Sequence, residues 1–189
     1  LTELEQYINS YFGIDKAEIK QISDLFEKHE LKRGAFYTKT GKYCNRLSFI
    51  ADGVIRIYAN VDNKEVTQWI ANQGFFVTDL GSLVFNNPSR FNIQALSDCT
   101  LYTINSENYK SIGKHIKNWH ELEKLFIAKC FIMLENRVFS HLSLTAEERY
   151  SKLFAENPGL FNQVPLQYIA SMLGITPETL SRIRAKTIS

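Results

Sequence analysis

The spacing of apolar positions changes twice along the chain. From Leu4 to Phe26 they recur at helical intervals, with Leu4, Ile8 and Tyr11 on one stripe and Ile19, Ile22, Leu25 and Phe26 on another, which predicts two short helices. Asp15 is placed to cap the second, and Glu18, three residues later, completes a capping box. From Leu31 the pattern alternates instead. Turn residues then recur at Gly34, Gly41, Asp52-Gly53, Asp62-Asn63, Gly74, Asn86-Asn87-Pro88 and Ser97-Asp98, the spacing of an antiparallel β-roll. Residues 46–58, RLSFIADGVIRIY, read as two strands folded into a hairpin about Asp52-Gly53. Further strands are expected at 66–70, 90–96 and 100–104, with a short helix over 79–85.

Beyond Asn105 the helical period returns and continues to His141. Ser106 or an adjacent residue begins a first piece, and Gly113 separates it from a long helix over about 114–141. That helix carries two apolar stripes, Leu122, Phe126, Cys130 and Met133 on one and Leu125, Ile132 and Phe139 on the other. Two stripes imply two partners. One can cover the roll and the other can pair with the same helix of a second subunit, giving a two-fold dimer in which Leu122, Phe126, Cys130 and Met133 are the candidate dimer residues. Burial of the whole helix within a monomer is the alternative. Thr145 and Glu148 open a further helix with a capping box, Tyr150, Leu153 and Phe154 pack it beneath the last stretch of the chain, and Asn157-Pro158-Gly159 ends it. A hinge at 142–144 therefore divides the chain into an effector-type unit, 1–142, and a C-terminal unit, 143–189.

The C-terminal unit is organised around residues 164–186, VPLQYIASMLGITPETLSRIRAK, which reads as a helix-turn-helix. Ile169 and Ala170 lie on the inner face of a first helix, Gly174 supplies the corner, and Thr176-Pro177 begins a second helix with a hydroxyl cap and a first-turn proline. The second capping box is incomplete, because Thr179 stands where Glu or Gln would close it, while Glu178 suits the positive end of the helix dipole. Leu180 and Ile183 point inward with Leu173 and Ile175. Pro177, Glu178, Ser181 and Arg182 are left on the outer face, where they can enter a major groove. A small helical hairpin packed for structural reasons or presented to another protein is the competing reading.

Composition narrows this picture. An apolar fraction of 44% in 189 residues suits an ordinary core, and a formal charge of +2 means that nucleic-acid binding must come from local placement of charge, as at Arg182, Arg184 and Lys186. No apolar run reaches membrane-spanning length and residues 1–10 lack the signature of a signal peptide, so a cytoplasmic protein without membrane contact is expected. Cys44, Cys99 and Cys130 are odd in number and widely separated, with no metal or redox spacing, and are read as reduced thiols; Cys130 as a redox sensor is the alternative. His29, His115, His120 and His141 form no ligand pair. With no nucleophile elbow, phosphate loop or metal spacing, neither a metal nor an enzymatic activity is expected.

The order of these elements, with LSFIADGVIRIY at 47–58, Gln73-Gly74 followed by Phe76, and IASMLGITPETLSRIR at 169–184, resembles the Crp/Fnr family of bacterial transcription regulators over nearly the whole chain. The resemblance implies an α+β protein: N-terminal helices, an antiparallel β-roll of the cyclic-nucleotide-binding type, a long dimerisation helix and a C-terminal helix-turn-helix domain. It also implies a homodimer on palindromic double-stranded DNA, with RNA polymerase as a further partner. Arg182 and Glu178 stand where the family places base-reading residues, and Arg suits guanine as Glu suits cytosine. Pro177 departs from members with arginine there, so a different sequence should be recognised. Gln167, Thr176 and Thr179 suit phosphate contacts. The candidate effector pocket departs further. The family's Gly-Glu pair is replaced by Thr78-Asp79, and its Arg-Ser or Arg-Thr pair has its nearest counterpart in Ser89-Arg90, with the arginine displaced by one position and so on the opposite strand face. Cyclic AMP is therefore not the expected effector, and no cofactor is expected. Residues 187–189 are too short for the β-wing that family members carry. A small-ligand or protein-interaction module without DNA binding is the rival reading.

Overall fold

The computed structural model describes residues 2–188. The side chains of Tyr11, Thr187 and Ile188 also lie outside the described residues, so the expected place of Tyr11 on the first stripe and the expectation about a wing at 187–189 are not addressed by it. Two helices lead, α1 (Glu3–Phe12) and α2 (Lys16–Ser23), with Leu4, Ile8, Ile19 and Ile22 buried. Thr2 and Glu5 form a reciprocal capping box on α1. Asp15 accepts from the Glu18 N–H at 2.8 Å, but the cap is one-sided, with no return bond from Glu18 among the described contacts.

Eight strands follow among the described residues: β1 (Glu27–Leu31), β2 (Phe36–Thr38), β3 (Arg46–Asp52), β4 (Ile55–Val61), β5 (Lys64–Ala71), β6 (Phe76–Val77), β7 (Asn92–Ala95) and β8 (Cys99–Asn105), with helix α3 (Leu80–Phe85) between β6 and β7. They form two four-stranded antiparallel sheets, ordered β1-β8-β3-β6 and β2-β7-β4-β5. Together with the helices this is an α+β fold built on a β-roll. Strand β1 begins at Glu27, earlier than the alternation predicts, because four of its five residues are exposed and carry no apolar signal.

The expected hairpin about Asp52-Gly53 is not formed. Strand β3 pairs with β6 and β8, whereas β4 pairs with β5 and β7, so this turn carries the chain from one sheet to the other. Packing explains why. Leu47, Phe49 and Ala51 of β3 pack with the N-terminal helices, while Ile50 packs with Ile55, Ala71, Ile93 and Ala95 of the facing sheet. With both faces of β3 buried, β4 lies across from it rather than beside it. The tight hairpin is β4–β5, where Asp62 and Asn63 both adopt positive φ, 47° and 61°.

Helix α4 (Ser106–His115) is capped by Asn105 and contains Gly113 rather than ending there. The break comes at 116–118, where Ile116 is buried in the roll core, and the long helix α5 (Trp119–Ser143) starts later than predicted. Gly113 faces Trp119, 3.4 Å from where a Cβ would lie, an ordinary contact distance. The C-terminal part comprises α6 (Ala146–Glu156), capped by the Thr145–Glu148 box, α7 (Leu160–Gln163), α8 (Leu166–Leu173) and α9 (Pro177–Ile188). Their core, with Tyr150, Ile169, Ala170, Leu173, Leu180 and Ile183, also takes in Val54 and Ile70 of the roll. No helix among the described residues is long and apolar enough to cross a membrane.

Candidate DNA-reading helix and effector pocket

The corner between α8 and α9 follows the sequence closely. Gly174 adopts φ 69° and its N–H returns to the Ser171 carbonyl, while the Ile175 N–H reaches Ala170, closing the end of α8. Thr176 caps α9 by accepting the Thr179 N–H at 3.2 Å. The Glu178 carboxyl sits below its ordinary value because its own backbone N–H and the Thr176 hydroxyl donate to it. Leu180 and Ile183 are buried, which fixes the rotation of α9 and leaves Pro177, Glu178, Ser181 and Arg182 exposed together. The side chains of Arg182 and Ser181 make no hydrogen bond among the described contacts. Gln167 and Thr176 are exposed and Thr179 is half-buried. Lys186 meets Glu147 at 2.9 Å, tying the far end of α9 to the start of α6.

The candidate effector residues are brought together, but chiefly to bond one another. Asp79 is 8% exposed and caps α3, with Oδ1 accepting the Ser82 N–H at 2.9 Å. Its Oδ2 accepts the Ser89 hydroxyl at 2.7 Å and the Arg90 N–H at 3.1 Å. Thr78 donates to the Arg46 carbonyl at 2.8 Å. The Arg90 side chain is exposed, its guanidinium 5.5 Å from the Phe91 ring, but Arg90 lies in a bend ahead of β7 rather than in the expected strand, so the strand-face argument does not apply to it. A carboxylate of the chain thus occupies the donors that an incoming anion would need. Within the roll, the Tyr37 hydroxyl, the Ser48 hydroxyl and Thr103 form a buried chain of hydrogen bonds, and burial pushes the Tyr37 phenol up.

Sequence reasoning missed the contact between the roll and the helix-turn-helix. Arg56 of β4 is 1% exposed, with its guanidinium 4.2 Å from the Tyr58 ring on one side and 3.7 Å from the Tyr168 ring of α8 on the other. Its Nη1 bonds Glu65 at 2.6 Å and its Nε donates to Thr67 at 2.9 Å. The Ser171 hydroxyl accepts the Thr67 N–H at 2.9 Å, adding a direct link from α8 to β5. An arginine alternating with Ile55 and Ile57 reads as an outward, solvated residue, and α8, which covers it, is remote in sequence.

Of the four candidate dimer residues of α5, two face their own roll. Leu122 is buried against its own roll, and Phe126 packs on Phe12 and Phe76 with centroids 6.0 and 5.2 Å away. Cys130 is half-buried and burial pushes its thiol up. Met133 is exposed at the side. The uncovered face holds Leu125, Ile132 and Phe139 together with Phe131, Val138 and Leu142. The other two cysteines, Cys44 and Cys99, are buried and free.

Residues 28–115 match the family model of the cyclic nucleotide-binding domain. No curated protein matches the chain. Among solved structures, the c-di-GMP-responsive global regulator CLP of Xanthomonas campestris superposes with a TM-score of 0.70 at 14% identity, covering 92% of this chain and 91% of that one. FixK2 of Bradyrhizobium japonicum gives 0.70 at 14% identity over 85% and 83%. A Eubacterium rectale protein assigned to the Crp/Fnr transcriptional regulators gives 0.68 at 21% identity over 97% and 88%. At these identities the likeness is one of fold. Residues 28–115 are thus similar to the cyclic nucleotide-binding domain, and the chain as a whole has the fold of these solved structures.

Proposed function

We propose that this chain is a homodimeric, sequence-specific DNA-binding transcription regulator of the Crp/Fnr type, with an effector-type unit at 1–142 and a DNA-binding unit at 143–189. The observation that carries this reading is the face of α9: Pro177, Glu178, Ser181 and Arg182 are exposed together on a capped helix whose opposite face is locked into a core by Leu180 and Ile183. Arg182 reads guanine through a bidentate contact and Glu178 accepts from cytosine, while Gln167, Thr176 and Thr179 hold phosphates. The uncovered face of α5 pairs with its copy, so that two α9 helices enter successive major grooves about 34 Å apart on a palindromic site. RNA polymerase is the further partner of a regulator bound in this way.

Cyclic AMP is not its effector, since Asp79 already accepts from Ser89 and the Arg90 N–H. Selection of bound sequences from random duplex DNA tests the main reading. Enrichment of a palindrome with half-sites one helical turn apart supports it. An intact dimer that enriches nothing would instead favour an interaction module without DNA binding.

A further inference from the structure

A cleft of about 370 Å³ opens where α5, α6 and the end of α8 meet, with Trp69 of β5 also in its wall. Its charge is one-sided. Lys129 and Arg137 come from α5, Arg149 and Lys152 from α6, and Glu156 is the carboxylate among the lining residues. The guanidinium of Arg137 lies 4.8 Å from the Trp69 ring. Arg149 spends its donors on the carbonyls of Leu173 and Leu144, at 3.1 and 2.7 Å, and Lys152 donates to the Ser140 hydroxyl at 3.1 Å. None of these three has a carboxylate partner among the described ion pairs, and of the three Arg137 and Arg149 are half-buried while Lys152 is exposed.

Charge is normally paired where water is excluded, because desolvation penalises a lone ion far more than a surface one. Burial alone pulls Arg137 down to about 10, a cost that no neighbouring anion relieves. Apolar groups complete the wall at Trp69, Leu153 and Met172. A wall of this kind, apolar with a few converging charges, is the usual make-up of a small-ligand site. His141 ties its two sides together, with Nδ1 3.0 Å from the Arg137 carbonyl on α5 and Nε2 3.2 Å from the Met172 carbonyl on α8.

We propose that this cleft binds a small organic anion, a carboxylate or phosphate carrying a compact apolar body, with Arg137 and Lys152 as its charge partners and Trp69, Leu153 and Met172 against its apolar part. In the β-roll, Asp79 already accepts from the Ser89 hydroxyl and the Arg90 N–H. Because the occupant touches α5, α6 and the end of α8 at once, it favours the arrangement in which the helix-turn-helix is docked on the roll. That last consequence rests on the DNA-binding reading, and ligand binding does not.

Calorimetric titration of the full chain with phenyl phosphate, benzoate, inorganic phosphate and phenol tests the site without DNA. Saturable binding of phenyl phosphate or benzoate, one per chain, is expected, with weaker binding of inorganic phosphate and none of phenol; the better of the first two identifies the preferred headgroup. Arg137→Gln and the more exposed Lys152→Gln should each weaken it by about tenfold, the loss of one charge-assisted contact. Lys186→Gln, outside the cleft, should leave it unchanged. Phenol binding as well as the anions, equal affinity in Lys152→Gln and parent, or no saturable heat from any anion at millimolar concentration overturns the proposal. It also falls if Lys152→Gln loses affinity for random duplex DNA while its anion heats match the parent, which would make these cations backbone contacts.

Discussion

The guanidinium of Arg56 lies 3.7 Å from the ring centroid of Tyr168, in a slot whose other wall is Tyr58. This one contact joins β4 to α8 across more than half the sequence. Covering by α8 leaves Arg56 almost without water, and Glu65, Thr67 and the two rings replace that water. Tyr168→Ala should therefore cost about 1–3 kcal/mol, from a desolvated cation–π contact and the area it covers. Hydrogen exchange locates the effect: amides of α8 and β5 should exchange faster, while α1 and α2 stay as they were. Unchanged protection in α8 would mean that the Ser171–Thr67 bond and the packing around Val54 and Ile70 hold the two parts together without it.

Gly53→Ala should be among the most damaging single-methyl changes in the chain. Its φ is 99°, and an added Cβ would sit 2.6 Å from the Asp98 carbonyl oxygen and from the Cys99 sulfur, one of them backbone. Strain in that region and displacement of β8 together predict a loss of about 2–4 kcal/mol, read as a lower urea midpoint at unchanged slope. Gly41→Ala, also at positive φ but with open space around it, should cost less.

Gly53 also shows what sequence can and cannot carry. Asp52-Gly53 is legible as a turn because few other residues tolerate its backbone, yet a turn does not say which sheet receives the next strand. That choice is made by β3 having a core on each face, a fact about distant residues. Capping residues, the α8–α9 corner and the inward Leu180 and Ile183 were legible because their partners lie within a few positions. The face of α5 that meets the roll was not, since both stripes are apolar and only Phe12 and Phe76 decide between them. Arg56, Arg137 and His141 escaped for the same reason.

The two faces of α5 separate in a mutational test. Phe131→Glu and Leu142→Glu place charge on the uncovered face, where each should weaken a dimer by about 2 kcal/mol or more without unfolding the chain. Sedimentation should show monomer with native far-UV dichroism. Phe126→Glu should instead lower the melting temperature, because its ring packs inside its own subunit. A dimer untouched by either exposed change, with Phe126→Glu abolishing it, would restore the opposite assignment.

Acid should loosen the helix caps. Glu5 and Glu148 sit below the ordinary carboxyl value chiefly because the backbone N–H groups of Thr2 and Thr145 donate to them. A depressed folded value means stability that is present above the unfolded value, about 4.3, and is lost as pH falls through the folded one. Replacing Glu148 by alanine should accordingly lower stability at neutral pH and flatten its fall below about pH 4.3. A series of urea titrations against pH would reveal parallel curves for variant and parent if the capping box contributed nothing.

Arg182→Ala tests the reading of α9 most directly. The side chain is exposed and makes no hydrogen bond within the chain among the described contacts, so its removal should leave folding stability within about 0.5 kcal/mol of the parent. Affinity for the selected palindrome should nonetheless fall by about 1–3 kcal/mol, with preference relaxed at one base pair of each half-site. Comparison across DNA sequences separates the roles of neighbouring residues. Removing a base-reading side chain at Arg182 weakens binding to one sequence more than to others, whereas Gln167→Ala, at a phosphate-holding position, should weaken all sequences alike. Equal affinity of Arg182→Ala and parent for the selected site would move recognition away from this face, and a uniform loss across sequences would make Arg182 a phosphate contact instead.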